Sequence, residues 1–156
     1  MYVFDTNSFS RLFSCYPNDR FPSLWSRFEG MFSSGKIVST REVMIELQAG
    51  KRRTEKAYNW AKGHRQLFTP LIGEEAAAVA DIFQIEHFQQ IVRRKQGVVS
   101  TSADPFVIAR ANILGRTVVT EESKPPHGAR IPNICEHFGI PCIKLDDLMQ
   151  LENWIF

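Results

Sequence analysis

Met1-Tyr2-Val3-Phe4-Asp5-Thr6-Asn7 opens the chain and decides how the rest is read. Met1 to Phe4 is a short apolar run that stops at an acid. This predicts a first strand, central in its sheet if later strands flank it. Phe9, Leu12 and Phe13 recur at helical spacing, so a helix begins just after Asp5.

The same punctuation recurs downstream. Phe21 to Phe32 sets Phe21, Leu24, Trp25, Phe28, Met31 and Phe32 on one helical face, and Ser33-Ser34-Gly35 ends it. Ile37 and Val38 predict a second strand. Ser39 to Glu42 fits a capping box opening a helix that carries Val43, Met44, Ile45 and Leu47 and ends near Gly50. A polar helix is expected over Lys51 to Arg65, with Ala57, Trp60, Ala61 and His64 inward, and a short strand over Leu67 to Leu71, broken by Pro70. Glu74 to Arg94 reads as one long helix ended by Gly97, with Ala76 to Ala78 as strong helix formers. Val98 and Val99 lead into Ser100-Thr101-Ser102, a run of caps before a helix from about Ala103 to Leu114 that ends at Gly115. Thr117 to Val119 is a strand stopping at Thr120-Glu121-Glu122, and Pro125-Pro126-His127-Gly128 is a loop. A helix over Ile131 to Phe138, a strand over Pro141 to Leu145 and a last helix capped by Asp146 complete the order. Short, non-alternating strands separated by helices predict an α/β fold. Its central, mostly parallel sheet has four to five short strands, with helices on both faces.

Composition bounds the function. The chain has 156 residues and is 44% hydrophobic with 12 phenylalanines, which excludes disorder and predicts a single domain over 1–156. A formal net charge of +2 permits nucleic-acid binding only through local clusters. No apolar run approaches a membrane span, and the opening lacks the pattern of a signal peptide. Cys15, Cys135 and Cys142 include no Cys-x-x-Cys pair, so neither a disulfide framework nor a zinc site is expected, and the setting is read as reducing and cytoplasmic.

The chemistry lies in acids at the ends of strands. Asp5 follows the first strand, and Glu121 and Glu122 follow the fourth. In an open parallel sheet these carboxyl ends form the ligand crevice. Asp104, in the first turn of a helix, points back toward the same edge. Glu46 sits between Ile45 and Leu47, a poor place for an unpaired carboxylate. Clustered carboxylates repel one another and raise each other's pKa, a cost that a hard divalent cation removes. Each acid also has a structural reading. Asp5 and Asp104 are good helix caps, the latter with Pro105 at the first helical position, and Glu46 could pair with a buried base. Spacing alone does not separate Glu121 from Glu122.

These residues together resemble PIN-domain nucleases. Met1 to Asn7 is similar to their opening strand and first acid. Val43-Met44-Ile45-Glu46-Leu47 resembles the second acidic motif, Ala103-Asp104-Pro105-Phe106-Val107-Ile108-Ala109 the third, and Val118-Val119-Thr120-Glu121-Glu122 the fourth. The motifs run in the family order over nearly the whole chain. The size resembles the single-domain toxin ribonucleases of the VapC type, and more narrowly an uncharacterised bacterial PIN-like subgroup. The resemblance implies an endoribonuclease dependent on Mg²⁺ or Mn²⁺. Asp5, Glu46, Asp104 and Glu122 would be its metal-binding and catalytic acids, with Thr6 and Thr120 supporting them. It also implies an RNA substrate and, for the toxin group, an antitoxin partner and a homodimer. The fourth acid is usually Asp in that group, and Asp104-Pro105 departs from the commoner Asp-Ala.

Basic residues cluster at Lys51-Arg52-Arg53 with Lys56, at Arg93-Arg94-Lys95, and around the loop after the fourth acid. There Lys124 and Arg130 are the expected RNA-phosphate contacts, and His127 is a candidate for proton transfer. Two alternatives compete. One is an acid-cleft phosphatase or response-regulator-like domain, weakened because Asp5-Thr6-Asn7 lacks an Asp-x-Asp. The other is a non-catalytic interaction module. A dinucleotide binder is disfavoured, since no Gly-x-Gly-x-x-Gly follows a strand.

Overall fold

The computed structural model describes residues 1–93 and 102–155. The chain runs β1 (Tyr2–Phe4), α1 (Thr6–Cys15), α2 (Pro22–Ser33), β2 (Ile37–Thr40), α3 (Arg41–Ala49), α4 (Glu55–Gly63), β3 (Phe68–Thr69), α5 (Gly73–Gln84), α6 (Gln90–Arg93), α7 (Asp104–Leu114), β4 (Thr117–Val119), α8 (Ile131–His137), β5 (Cys142–Ile143) and α9 (Leu145–Leu151). The five strands form one parallel sheet in the order β3-β2-β1-β4-β5. The first strand is therefore central. Val3 registers with Val38 on one side and Val118 on the other. Connections leave β1 in opposite directions, so the carboxyl ends of β1 and β4 flank the point where strand order reverses, the usual ligand position in such sheets.

Apolar strands three or four residues long need cover on both faces. Phe4 packs against Phe9 of α1 at 5.4 Å between ring centroids and against Phe28 of α2 at 5.7 Å. Phe9 also meets Phe68 at 5.4 Å, joining the sheet's edge strand to this aromatic core. Helix α7 packs on β1, β2 and β4 through buried Val107, Ile108 and Ala111. It stops at Gly115, whose left-handed backbone (φ 59°) costs a glycine nothing.

Arg110, on the same helix, is only 4% exposed. Its Nε donates to Glu75 Oε1 at 2.8 Å and its Nη2 to Glu75 Oε2 at 3.1 Å. Nη1 donates to the carbonyls of Ser39 (2.6 Å) and Thr69 (3.1 Å), and Nη2 to that of Pro70 (2.8 Å). One guanidinium thus ties α7, α5, β2 and β3 together. Burial alone would raise the Glu75 carboxyl, but the Arg110 hydrogen bonds and the Ile72 amide hold it below the usual range.

Several boundaries differ from the sequence reading. Thr40, not Ser39, caps α3, accepting from the Val43 amide at 3.4 Å. Ser39 stays in β2 and donates to the Phe4 carbonyl at 2.7 Å. The helix expected over Lys51 to Arg65 is a single 3-10 turn followed by α4, and Trp60 and His64 are only partly buried. The long helix expected from Glu74 breaks at extended Ile85. Packing of Phe88 and Ile91 into the core outweighs helix propensity there, and Gln89 Nε2 recovers the Phe83 carbonyl at 2.9 Å. Asp147, not Asp146, satisfies the first amide at the start of α9. The expected helix end at Gly97, the strand at Val98 and Val99, the caps at Ser100 and Thr101, and basic Arg94 and Lys95 lie outside the described residues. Among those described, no helix is long and apolar enough to cross a membrane.

Candidate functional site

Asp5 leaves β1 at its carboxyl end. Its amide donates to the Val119 carbonyl of β4 at 3.0 Å, so sheet pairing itself sets where the side chain starts. The carboxylate is 1% exposed and doubles as the α1 cap, Oδ2 accepting from the Asn7 amide at 3.4 Å. Thr120, just past β4, donates Oγ1 to the same oxygen at 2.9 Å. Burial, above all, pushes the Asp5 carboxyl up to about 8. Asp104, then Glu46 and Glu122, push the same way, and the Thr120 hydroxyl opposes them. Three acids, from α3, α7 and the loop after β4, therefore bear on the Asp5 carboxyl at the end of β1.

Glu46 projects from α3 toward that point. Thr6 Oγ1 donates to its Oε2 at 2.7 Å, and the Ala103 amide at the start of α7 donates to its Oε1 at 3.0 Å. Asp104 follows in the first turn of α7. Ser102, nearby, is 1% exposed, and its Oγ has no hydrogen-bond partner among the described residues. Glu122 donates its amide to Thr120 Oγ1 at 3.2 Å, while its Oε2 accepts from the Ile131 amide at the N-terminus of α8 at 3.0 Å. Glu121 is held by other groups. Its Oε1 accepts from the Leu145 amide at 3.0 Å, and its Oε2 pairs with Arg11 at 3.1 Å. The start of α9 lies beside the end of β4, and its free amide captures the carboxylate.

All the acids offer oxygen, the donor a hard divalent ion prefers. Among the described residues, no three His, Cys, Asp or Glu side chains are drawn together as a ready-made cage. Both Glu46 oxygens and one Glu122 oxygen instead accept from protein donors. The donor set still fits such an ion, because the Asp5 carboxyl is dry and crowded by like charge, a cost that a cation offsets.

Two cavities flank this point and share Asn7, Arg11 and Ser14 on the outer face of α1. One, of about 640 Å³, lies on the Glu46 side and is also lined by Thr6, Ser10 and Arg53. The other, of about 570 Å³, holds Glu121, Glu122, Arg130 and Lys144. Of the two basic residues expected at phosphate, Arg130 lines this second cavity and donates to Ser123 Oγ at 2.8 Å, whereas Lys124 pairs with Glu136 and lines neither. His127 lines a separate cavity with His87 and His137, away from the acids. Sequence reading missed Arg11 and Ser102. The α1 periodicity, with Arg11 next to inward Leu12, places Arg11 on the outer face but not beside Glu121.

No curated protein matches the sequence. Among solved structures, FitAcB from Neisseria gonorrhoeae shares the fold with a TM-score of 0.55 at 15% identity, over 92% of this chain and 96% of that one. The five-stranded parallel sheet, its helical cover and this likeness make the fold PIN-like. Residues 2–156 match the family described as a domain of unknown function, DUF4411, and the chain belongs to that family.

Proposed function

We propose that the chain is a metal-dependent endoribonuclease that hydrolyses RNA phosphodiester bonds. The observation that carries this reading is the buried Asp5 carboxyl, held between two strand ends and crowded by Asp104, Glu46 and Glu122. Asp5, Glu46, Asp104 and Glu122 would hold Mg²⁺ or Mn²⁺, directly or through its waters. When bound, the ion supplies a water of lowered pKa and neutralises charge on the phosphate. Thr120 orients Asp5 and Thr6 orients Glu46, so each acid keeps one face fixed toward the crevice. Arg130 and, more remotely, Lys124 would meet the RNA backbone. An antitoxin partner, a homodimer and a cytoplasmic setting belong to this proposal through the resemblance to the toxin group.

A second reading has one observation behind it. Glu46, Glu121 and Glu122 all accept from backbone amides, as they would in a non-catalytic interaction module where acids only cap helices. Cleavage of single-stranded RNA with and without Mn²⁺, together with calorimetric titration of Mn²⁺, separates the two. The nuclease reading expects metal-dependent cleavage, and absence of both cleavage and Mn²⁺ binding would sink it.

Glu122→Gln and Glu121→Gln refine the test. Glu122→Gln is expected to slow cleavage about 10- to 100-fold with little change in melting temperature. Glu121→Gln weakens the pairing with Arg11 and the start of α9, so its main effect is expected on stability, a loss of a few degrees in Tm, with cleavage retained. The opposite ranking in cleavage would move the fourth position to Glu121.

A further inference from the structure

We infer that Arg53 grips the phosphate backbone of the RNA on the Glu46 side of the site. This rests on the nuclease reading and names how its substrate is seated. The cavity of about 640 Å³ runs from Thr6 and Glu46 along α1 to the turn after α3, where Gly50, Arg53 and Thr54 close it. Among the described residues, its lining contains no aromatic and no large aliphatic side chain, so none of them offers a partner to a stacked base or an apolar ligand.

The polar lining groups are unequal as donors. Ser10 Oγ donates to the Thr6 carbonyl at 2.9 Å and Ser14 Oγ to the Arg11 carbonyl at 3.2 Å, which leaves both hydroxyls only lone pairs to present. Thr54 Oγ1 donates to the Leu47 carbonyl. Arg11 is held by Glu121 and Asp146. Among the described residues, Arg53 has no ion-pair or hydrogen-bond partner for its exposed guanidinium. It therefore brings its full charge and its planar donor fork to an anion. A cavity that begins at a cluster of acids and carries an uncommitted guanidinium fits a polyanion whose reacting phosphate lies at the acids and whose next phosphates run toward Arg53. The adjacent Arg52 provides the contrast. It lines a different cavity, with Gln48, Glu55 and Asn59.

The measurement is fluorescence anisotropy of a labelled single-stranded oligoribonucleotide of about a dozen nucleotides, over a series of salt concentrations. The full chain is used with EDTA, and the RNA is checked for integrity afterwards. Arg53→Ala is expected to weaken binding about five- to tenfold and to flatten the slope of log affinity against log salt by about 0.7, one lost phosphate contact. Arg53→Lys should restore the slope with part of the affinity, and Arg52→Ala should leave both near wild type. Unchanged binding and slope in Arg53→Ala, or equal losses in Arg52→Ala, would overturn the assignment while leaving the nuclease reading standing. No RNA binding by the wild-type chain would overturn it together with that reading. Melting temperatures of the variants separate lost contacts from lost fold.

Discussion

Asp5→Asn is expected to lower RNA cleavage by at least about 10²- to 10³-fold, because a metal site is asked to supply several kcal/mol of transition-state stabilisation. The same substitution should make the metal-free protein more stable. Asparagine keeps the shape and the oxygen that accepts from Asn7 and Thr120, and removes a charge buried among three acids. The pH dependence has a definite sign. An acid that holds its proton more tightly when folded than when unfolded contributes stability at low pH. That contribution is lost as pH rises from the ordinary value of 3.8 through the folded value of about 8. The Tm of the metal-free wild type should therefore fall across this window, and that of Asp5→Asn should fall less, ending about 3–6 °C higher at the alkaline end. Mn²⁺ competes with the proton, so the Tm increase it gives the wild type should grow with pH and vanish in the variant. Scanning calorimetry at several pH values, with and without Mn²⁺, reads all of this. A Tm that rises with pH in the metal-free wild type, or an Mn²⁺ effect that survives in Asp5→Asn, would contradict the site.

Arg110→Ala is expected to cost about 3–5 kcal/mol, the usual range when one partner of a buried ion pair is removed. The loss has two parts. Glu75 is left as an uncompensated buried carboxylate, and the carbonyls of Ser39, Thr69 and Pro70 lose their donor. At about 2–4 °C per kcal/mol for a chain of this size, Tm should drop by roughly 10 °C. Combining Arg110→Ala with Glu75→Leu should recover part of the loss by removing the stranded charge, while the unpaired carbonyls keep the double variant below wild type. Additive losses in the double variant would show that the two side chains do not act as a pair.

The residues that were legible in the sequence share a physical property. Strands β1 and β4 are short apolar runs followed by acids, and α1 and α2 carry clear apolar periodicity, so their place and type follow from burial alone. Asp5 could be placed because it follows a strand whose position in the sheet the alternation of elements suggests. Arg110 could not, since an arginine on a helix reads as exposed until the acceptors of Glu75, Ser39, Thr69 and Pro70 are seen around it. Glu121 could not be told from Glu122 for a related reason. Its partners, Arg11 and the Leu145 amide, come from opposite ends of the chain, and only the folded sheet sets them side by side. Lys124 had the right distance along the chain from the fourth acid but a nearer anion in Glu136, whereas Arg53, remote in sequence from β1, meets α1 across a cavity.

The central place of β1 has a consequence for biosynthesis. Asp5 and Thr120 are 115 residues apart, and β1 gains its second neighbour only when β4 is available. A nascent chain that has left the ribosome as far as α7 carries its first strand half paired, with the dry setting of Asp5 still missing one wall. Such long-range pairing folds slowly and late. The acids would thus come together only after β4 has been made, leaving a long interval in which the growing polypeptide carries the first residues of the centre but not its chemistry.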